Sequence, residues 1–189
     1  MELVSEAIAF AVKAHDGMRR KKSDAPYILH PMEAAVIVGT MTDDQILIAA
    51  AALHDVVEDA DITIEEIEER FGRRVRELVE SETEDKRADL PPASTWRIRK
   101  EESLAVLKNT DDIAVLMVWL GDKLANMRAI HRDFKVEGEA MWQRFNQKDA
   151  SEQAWYYLSI IELTKALSDT SAWLEYKTLT ELVFGKGEN

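Results

Sequence analysis

No stretch of this sequence alternates apolar and polar residues with a period of two, whereas apolar residues recur at three- and four-residue spacing over most of its length. That pattern places an apolar stripe along a helix and offers nothing to a half-buried strand. Ala7, Ile8, Ala11 and Ala14 mark a first helix. His30-Pro31 opens a second, with Pro31 in the first turn, where a missing N–H costs nothing. Asp43 and Asp44 precede a third, Ile46–Leu53, apolar enough to be buried on most sides. Thr63-Ile64-Glu65-Glu66 is a capping box starting a helix that runs to about Arg70, before Phe71-Gly72. A further helix spans roughly Arg74–Glu82. The polar segment Glu84–Ser94, with Pro91-Pro92, reads as the one clear loop. Helices are then expected near Thr95–Lys108, Asp111–His131, Gly138–Phe145, Ser151–Leu167 and Ala172–Phe184. With only 7 Gly and 4 Pro there is neither a linker nor a repeat. The reading is an all-α fold in a single domain over residues 1–189.

The absence of cysteine excludes disulfides, thiolate metal sites and a cysteine nucleophile, and fits a reducing compartment. No basic region precedes the apolar residues of Met1–Glu6, so a signal peptide is not expected. The longest apolar run, Ile46–Leu53, falls far short of the roughly 20 residues of a membrane span. Together these features predict a cytoplasmic protein that does not engage a membrane. The net charge of −12 opposes nucleic-acid binding, which depends on cations at phosphates. It leaves room for a small anion where basic residues gather, as in the runs Arg19–Lys22 and Arg97, Arg99, Lys100. Each run also reads as a solvated face.

Ile46–Leu53 ends on His54, Asp55, Glu58 and Asp59. Ionisable groups at the edge of an apolar segment are costly unless they are paired or bind a metal. His54-Asp55 joins the two ligand types that suit a hard-to-borderline divalent ion. At helical spacing Glu58 falls near His54 and Asp59 near Asp55, where carboxylates can act as base and acid on a water. A solvated acidic helix end accounts for the same residues. Asp122 is a carboxylate in the apolar helix Val118–Leu124 and needs a partner. Lys123 should point elsewhere on that helix, which leaves Arg128 or a metal. Asn126, four residues on, shares the face of Asp122.

Taken in order, Lys21-Lys22-Ser23, Pro26-Tyr27-Ile28-Leu29-His30-Pro31, Ala52–Asp59, Phe71-Gly72, Glu84-Asp85-Lys86 and Leu120–Arg128 resemble the HD hydrolase domain of the RelA/SpoT alarmone enzymes, in its stand-alone, small alarmone hydrolase form. The likeness runs from about residue 3 to 130. It implies removal of the 3′-pyrophosphate from (p)ppGpp-like nucleotides, with Mn2+ as the usual metal. By that resemblance His30, His54, Asp55 and Asp122 are metal ligands, and Glu58 and Asp59 activate and steer the water. Lys21, Lys22 and Ser23 hold the nucleotide, and Asn126 contacts its sugar or base. His15 reads as a structural support, His131 as a surface residue, and Trp142, Phe145 and Trp155-Tyr156-Tyr157 as core.

Four positions depart from the family pattern: Lys21 where arginine is common, Asp24-Ala25 where Gly-Glu is common, and Gly121 where alanine is common. Arginine stacks on a purine better than lysine does, so an adenine alarmone or another phosphorylated nucleotide is the alternative substrate. A nucleotide-sensing module without catalysis is the alternative from another class. Intact Glu58 and Asp59 speak against it.

Overall fold

The computed structural model describes residues 2–20, 24–87 and 89–185. It is all-helical, with no strand among the described residues, only an isolated antiparallel bridge between Arg19 and Pro26. The chain divides into two compact units, Met1–Thr83 with Asp112–Ala125, and Glu84–Asp111 with Asn126–Asn189.

The first unit contains α1 (Leu3–Ala14), α2 (Leu29–Gly39), α3 (Gln45–Leu53), α4 (Val56–Asp59), α5 (Ile64–Phe71) and α6 (Arg73–Glu82). Asp44 caps α3, its side chain accepting from Ile46 N at 2.8 Å. Ala49 to Leu53 are wholly buried, and α3 packs against α1, α2 and α6. A run of alanines suits that central place, because small side chains let several helices approach at once. Thr63 caps α5 as expected, its Oγ1 accepting from Glu66 N. Gly72 joins α5 to α6 at φ +86°, a conformation that favours glycine.

In the second unit, α7 (Pro92–Lys108) starts earlier than the sequence suggested. Pro92 begins the helix rather than ending the loop, the N-terminal role proline is suited to. α8 (Ile113–Glu137) gives residues 113–125 to the first unit and the remainder to the second, and extends past His131. The segment Gly138–Arg144 is a 3-10 helix. α9 (Ala150–Leu163) stops before a 3-10 turn, Lys165–Leu167, and α10 (Ser171–Phe184) follows. Trp142, Tyr156 and Tyr157 are core, as expected of them, while Phe145 and Trp155 are half-buried. The second basic run is matched by carboxylates: Arg99 and Lys100 pair with Glu84, and Arg97 with Glu101 and Glu152.

Gly121 explains its own departure from the family pattern. A Cβ there would lie 2.7 Å from Val38 Cγ2 and 3.0 Å from the Ala34 carbonyl oxygen. The glycine therefore lets α8 press directly on α2. No helix among the described residues is long and apolar enough to cross a membrane.

Candidate metal centre

Three segments of the first unit carry the site: the start of α2, the turn between α3 and α4, and α8. His30 is the second residue of α2, its backbone N donating to Tyr27 O at 3.0 Å, and Pro31 takes the next position in the first turn. α3 breaks at His54-Asp55, which form a turn before α4. Helical spacing read from the sequence treats that stretch as one continuous helix. Asp59 still follows Asp55 by one helical turn, its N donating to Asp55 O at 2.9 Å.

The side chains converge. His30 Nε2 lies 3.0 Å from Asp122 Oδ1 and 3.4 Å from Asp55 Oδ2. His54 Nε2 lies 3.1 Å from Asp55 Oδ2 and 3.5 Å from Asp122 Oδ1. Four donors bonded to one ion at about 2.1 Å would be spaced about 3.0 Å apart at right angles and about 3.4 Å apart at tetrahedral angles. The observed separations cover that range. His30, His54 and Asp122 also form a buried group whose ligand atoms all lie within 4.8 Å of one another.

Further contacts orient these side chains. His54 Nδ1 lies 2.8 Å from Ala51 O; a carbonyl only accepts, so Nδ1 carries a proton and Nε2 is the ring nitrogen turned to Asp55 and Asp122. That Nε2 is buried with no hydrogen-bond partner among the described residues, as a metal-binding nitrogen should be. Burial disfavours a charged His54, yet Asp55 and Asp122 outweigh it and hold the imidazole well above its ordinary range. Burial also opposes ionisation of both aspartates. The His54 and His30 rings overcome it for Asp55, as Lys123 and the same rings do for Asp122, so both carboxyls sit below the usual range. Two ionised carboxylates around two imidazoles favour a cation at their centre. The donor set of nitrogen and oxygen without sulfur fits a divalent one.

Sequence reasoning missed two features. Tyr27 donates its hydroxyl to Asp55 Oδ2 at 2.7 Å, and burial together with Asp55 and Asp59 pushes its own ionisation far up. Its place one turn before His30 was the available signal. Lys123 does not point away: its Nζ donates to Asp122 Oδ2 and also meets buried Glu82 at 3.4 Å. The long lysine stem bends back to its neighbour, while Arg128 pairs with Glu175 instead. Burial pushes the Glu82 carboxyl up to about 8 against the pull of Lys123.

Glu58 and Asp59 lie half-buried on α4. Asn126 follows Asp122 by one turn on α8, in the second unit. Lys21, Lys22 and Ser23 lie outside the described residues. The residues flanking them are pinned together, Arg20 N to Ala25 O at 3.0 Å and Arg19 Nη1 to Asp24 O at 2.8 Å. His15 is buried against Tyr27, in keeping with a supporting role.

A family model described as HD domain matches residues 7–150. The chain belongs to the HD-domain family. Its relatives are of the RelA/SpoT kind. Over 128 residues, 68% of this chain, it is 37% identical to the GTP pyrophosphokinase rsh of Brucella ovis. It spans only 17% of the length of that relative. Among solved structures, a metazoan ortholog of SpoT described as hydrolysing ppGpp superposes with a TM-score of 0.77 at 24% identity, over 98% of both chains. The lmo0812 protein of Listeria monocytogenes gives 0.72 at 27% identity, covering 83% of this chain and 99% of that one. The all-helical HD architecture inferred from the sequence is therefore the fold of this chain.

Proposed function

We propose that the chain is a metal-dependent phosphohydrolase that removes the 3′-pyrophosphate from (p)ppGpp-like nucleotides, with Mn2+ as its metal and His30, His54, Asp55 and Asp122 as ligands. The observation that carries this reading is the approach of two imidazole Nε2 atoms to two aspartate oxygens at 3.0–3.5 Å in a buried HD site. The ppGpp hydrolysis ascribed to the metazoan relative supports the substrate class. When bound, a divalent cation supplies positive charge to a phosphate oxygen and acidifies a water. The protein does the rest. Glu58 accepts the proton of the attacking water, and Asp59 steers that water towards the phosphorus. Tyr27 and Lys123 hold the outer edges of Asp55 and Asp122. Lys21, Lys22 and Ser23 hold the remaining phosphates, and Asn126 contacts the nucleoside. The −12 charge speaks against nucleic acid as a partner, and a nucleotide substrate of this kind is in keeping with a cytoplasmic protein.

The test is direct. The purified chain incubated with ppGpp and MnCl2 should release GDP and pyrophosphate, and exhaustive chelation should abolish release. Turnover of an adenine alarmone in preference to ppGpp would assign the substrate base differently while leaving the reaction intact. Full turnover after chelation would remove the metal from the mechanism.

A further inference from the structure

Behind Asp122 lies a buried pair that the proposed reaction does not use. Glu82 ends α6 with its side chain 2% exposed, and its Oε1 has no hydrogen-bond partner among the described residues. Its other oxygen accepts from Lys123 Nζ at 3.4 Å. That ammonium lies over the Trp119 ring, 4.6 Å from its centroid, and donates to Asp122 Oδ2. Asp122 presents its opposite oxygen, Oδ1, to both His30 and His54.

A buried carboxyl with an unmatched oxygen is costly, and a leucine of similar size would avoid that cost. Its presence here calls for a function. An ammonium beside a carboxylate can settle on either oxygen or bridge both, and on Oδ1 it would compete with a metal ion for the same lone pairs. Glu82 and the face of Trp119 hold Nζ on the far side. The carboxylate is thereby divided, with Oδ2 towards the ammonium and Oδ1 towards the imidazole pair. We propose that Glu82 is a positioning residue for Asp122: by anchoring Lys123 on Oδ2, it keeps Oδ1 turned into the metal centre. This inference rests on the metal site proposed above.

The experiment titrates the chelator-stripped chain with MnCl2 alone by calorimetry and records Tm in EDTA. Glu82→Leu should raise the Kd for Mn2+ by about 10–100-fold, the range for partners that orient a ligand, while Tm in EDTA holds or rises. Glu82→Gln, which keeps an oxygen for Nζ, should recover most of the loss. In a Lys123→Met background, Glu82→Leu should add nothing, because the effect passes through the lysine. An unchanged Kd in Glu82→Leu, with His54→Ala still abolishing uptake, overturns the positioning role and leaves the metal centre standing. A fall in Tm without a change in Kd likewise makes Glu82 merely structural. Absence of Mn2+ uptake by the unsubstituted chain overturns the metal centre itself, and the inference with it.

Discussion

The Tyr27 hydroxyl donates at 2.7 Å to Asp55 Oδ2, the same oxygen that faces His54 Nε2 at 3.1 Å and His30 Nε2 at 3.4 Å. A single oxygen is thus fixed from one side by a phenol and turned towards two imidazoles on the other. The phenol is half-buried and stays protonated, since burial and the nearby carboxylates oppose its ionisation. It is therefore a permanent donor.

Tyr27→Phe removes that donor and little else. Mn2+ affinity should fall by about 10–100-fold, with the loss of turnover recovered at saturating metal. Calorimetry and turnover measured across MnCl2 concentrations separate the two effects. Equal affinity in both proteins would show that the hydroxyl does not orient Asp55.

Glu58→Gln tests the base. Glutamine preserves the shape of the side chain but cannot take a proton, so metal uptake should survive. kcat should drop by about 10²–10⁴-fold, the usual contribution of a general base. Stopped turnover with intact Mn2+ binding is the expected pair of results; a near-normal kcat assigns Glu58 a structural role.

The cluster of His30, His54, Asp55 and Asp122 was legible in the sequence as a candidate site because each residue sits where the backbone changes direction or where an apolar helix admits one carboxylate. His30 stands beside a first-turn proline, His54-Asp55 ends an apolar run, and Asp122 interrupts Val118–Leu124. Lys123 was not legible. Helical spacing directs adjacent side chains apart, and only the packed structure shows a long stem bending back between Glu82 and Asp122. The early start of α7 was hidden for a related reason: two prolines read as a loop until Pro92 is seen at a helix N-terminus. The break of α3 at His54-Asp55 depends on where the flanking helices pack, which local spacing does not encode.

The metal-free protein should lose stability as pH rises. His54 has its folded value raised above 6.5, so its contribution is complete below that value and disappears as pH climbs through the raised one. Glu82, raised from 4.5 to about 8, acts in the same direction. Asp55 and Asp122 are depressed, so their contribution is lost only in strong acid. Tm in EDTA should therefore be lower at about pH 9 than at about pH 6. Saturating Mn2+ should flatten the difference, because the cation takes the place of the imidazole proton. A metal-free Tm that is constant or rising over this interval would contradict the charge arrangement described.

Gly121→Ala sets two effects of opposite sign against each other. Replacing glycine inside a helix by alanine gains about 0.8–1.0 kcal/mol of propensity. Against it stands a Cβ at 2.7 Å from Val38 Cγ2 and 3.0 Å from the Ala34 carbonyl oxygen. The valine is β-branched and stiff at χ1 within α2, and the carbonyl belongs to the helix backbone, so neither yields cheaply. Overpacking of this kind costs about 1–3 kcal/mol, so the clash should prevail and the variant should unfold at lower urea. The helices that would separate are α2, which carries His30, and α8, which carries Asp122. Their Nε2–Oδ1 distance of 3.0 Å should open, and Mn2+ affinity should fall along with stability. Val38→Ala in the same chain frees the nearer of the two contacts and should restore part of both losses. If Gly121→Ala instead raises the urea midpoint at unchanged Mn2+ affinity, α2 and α8 have room to spare, and the close approach does not set the geometry of the centre.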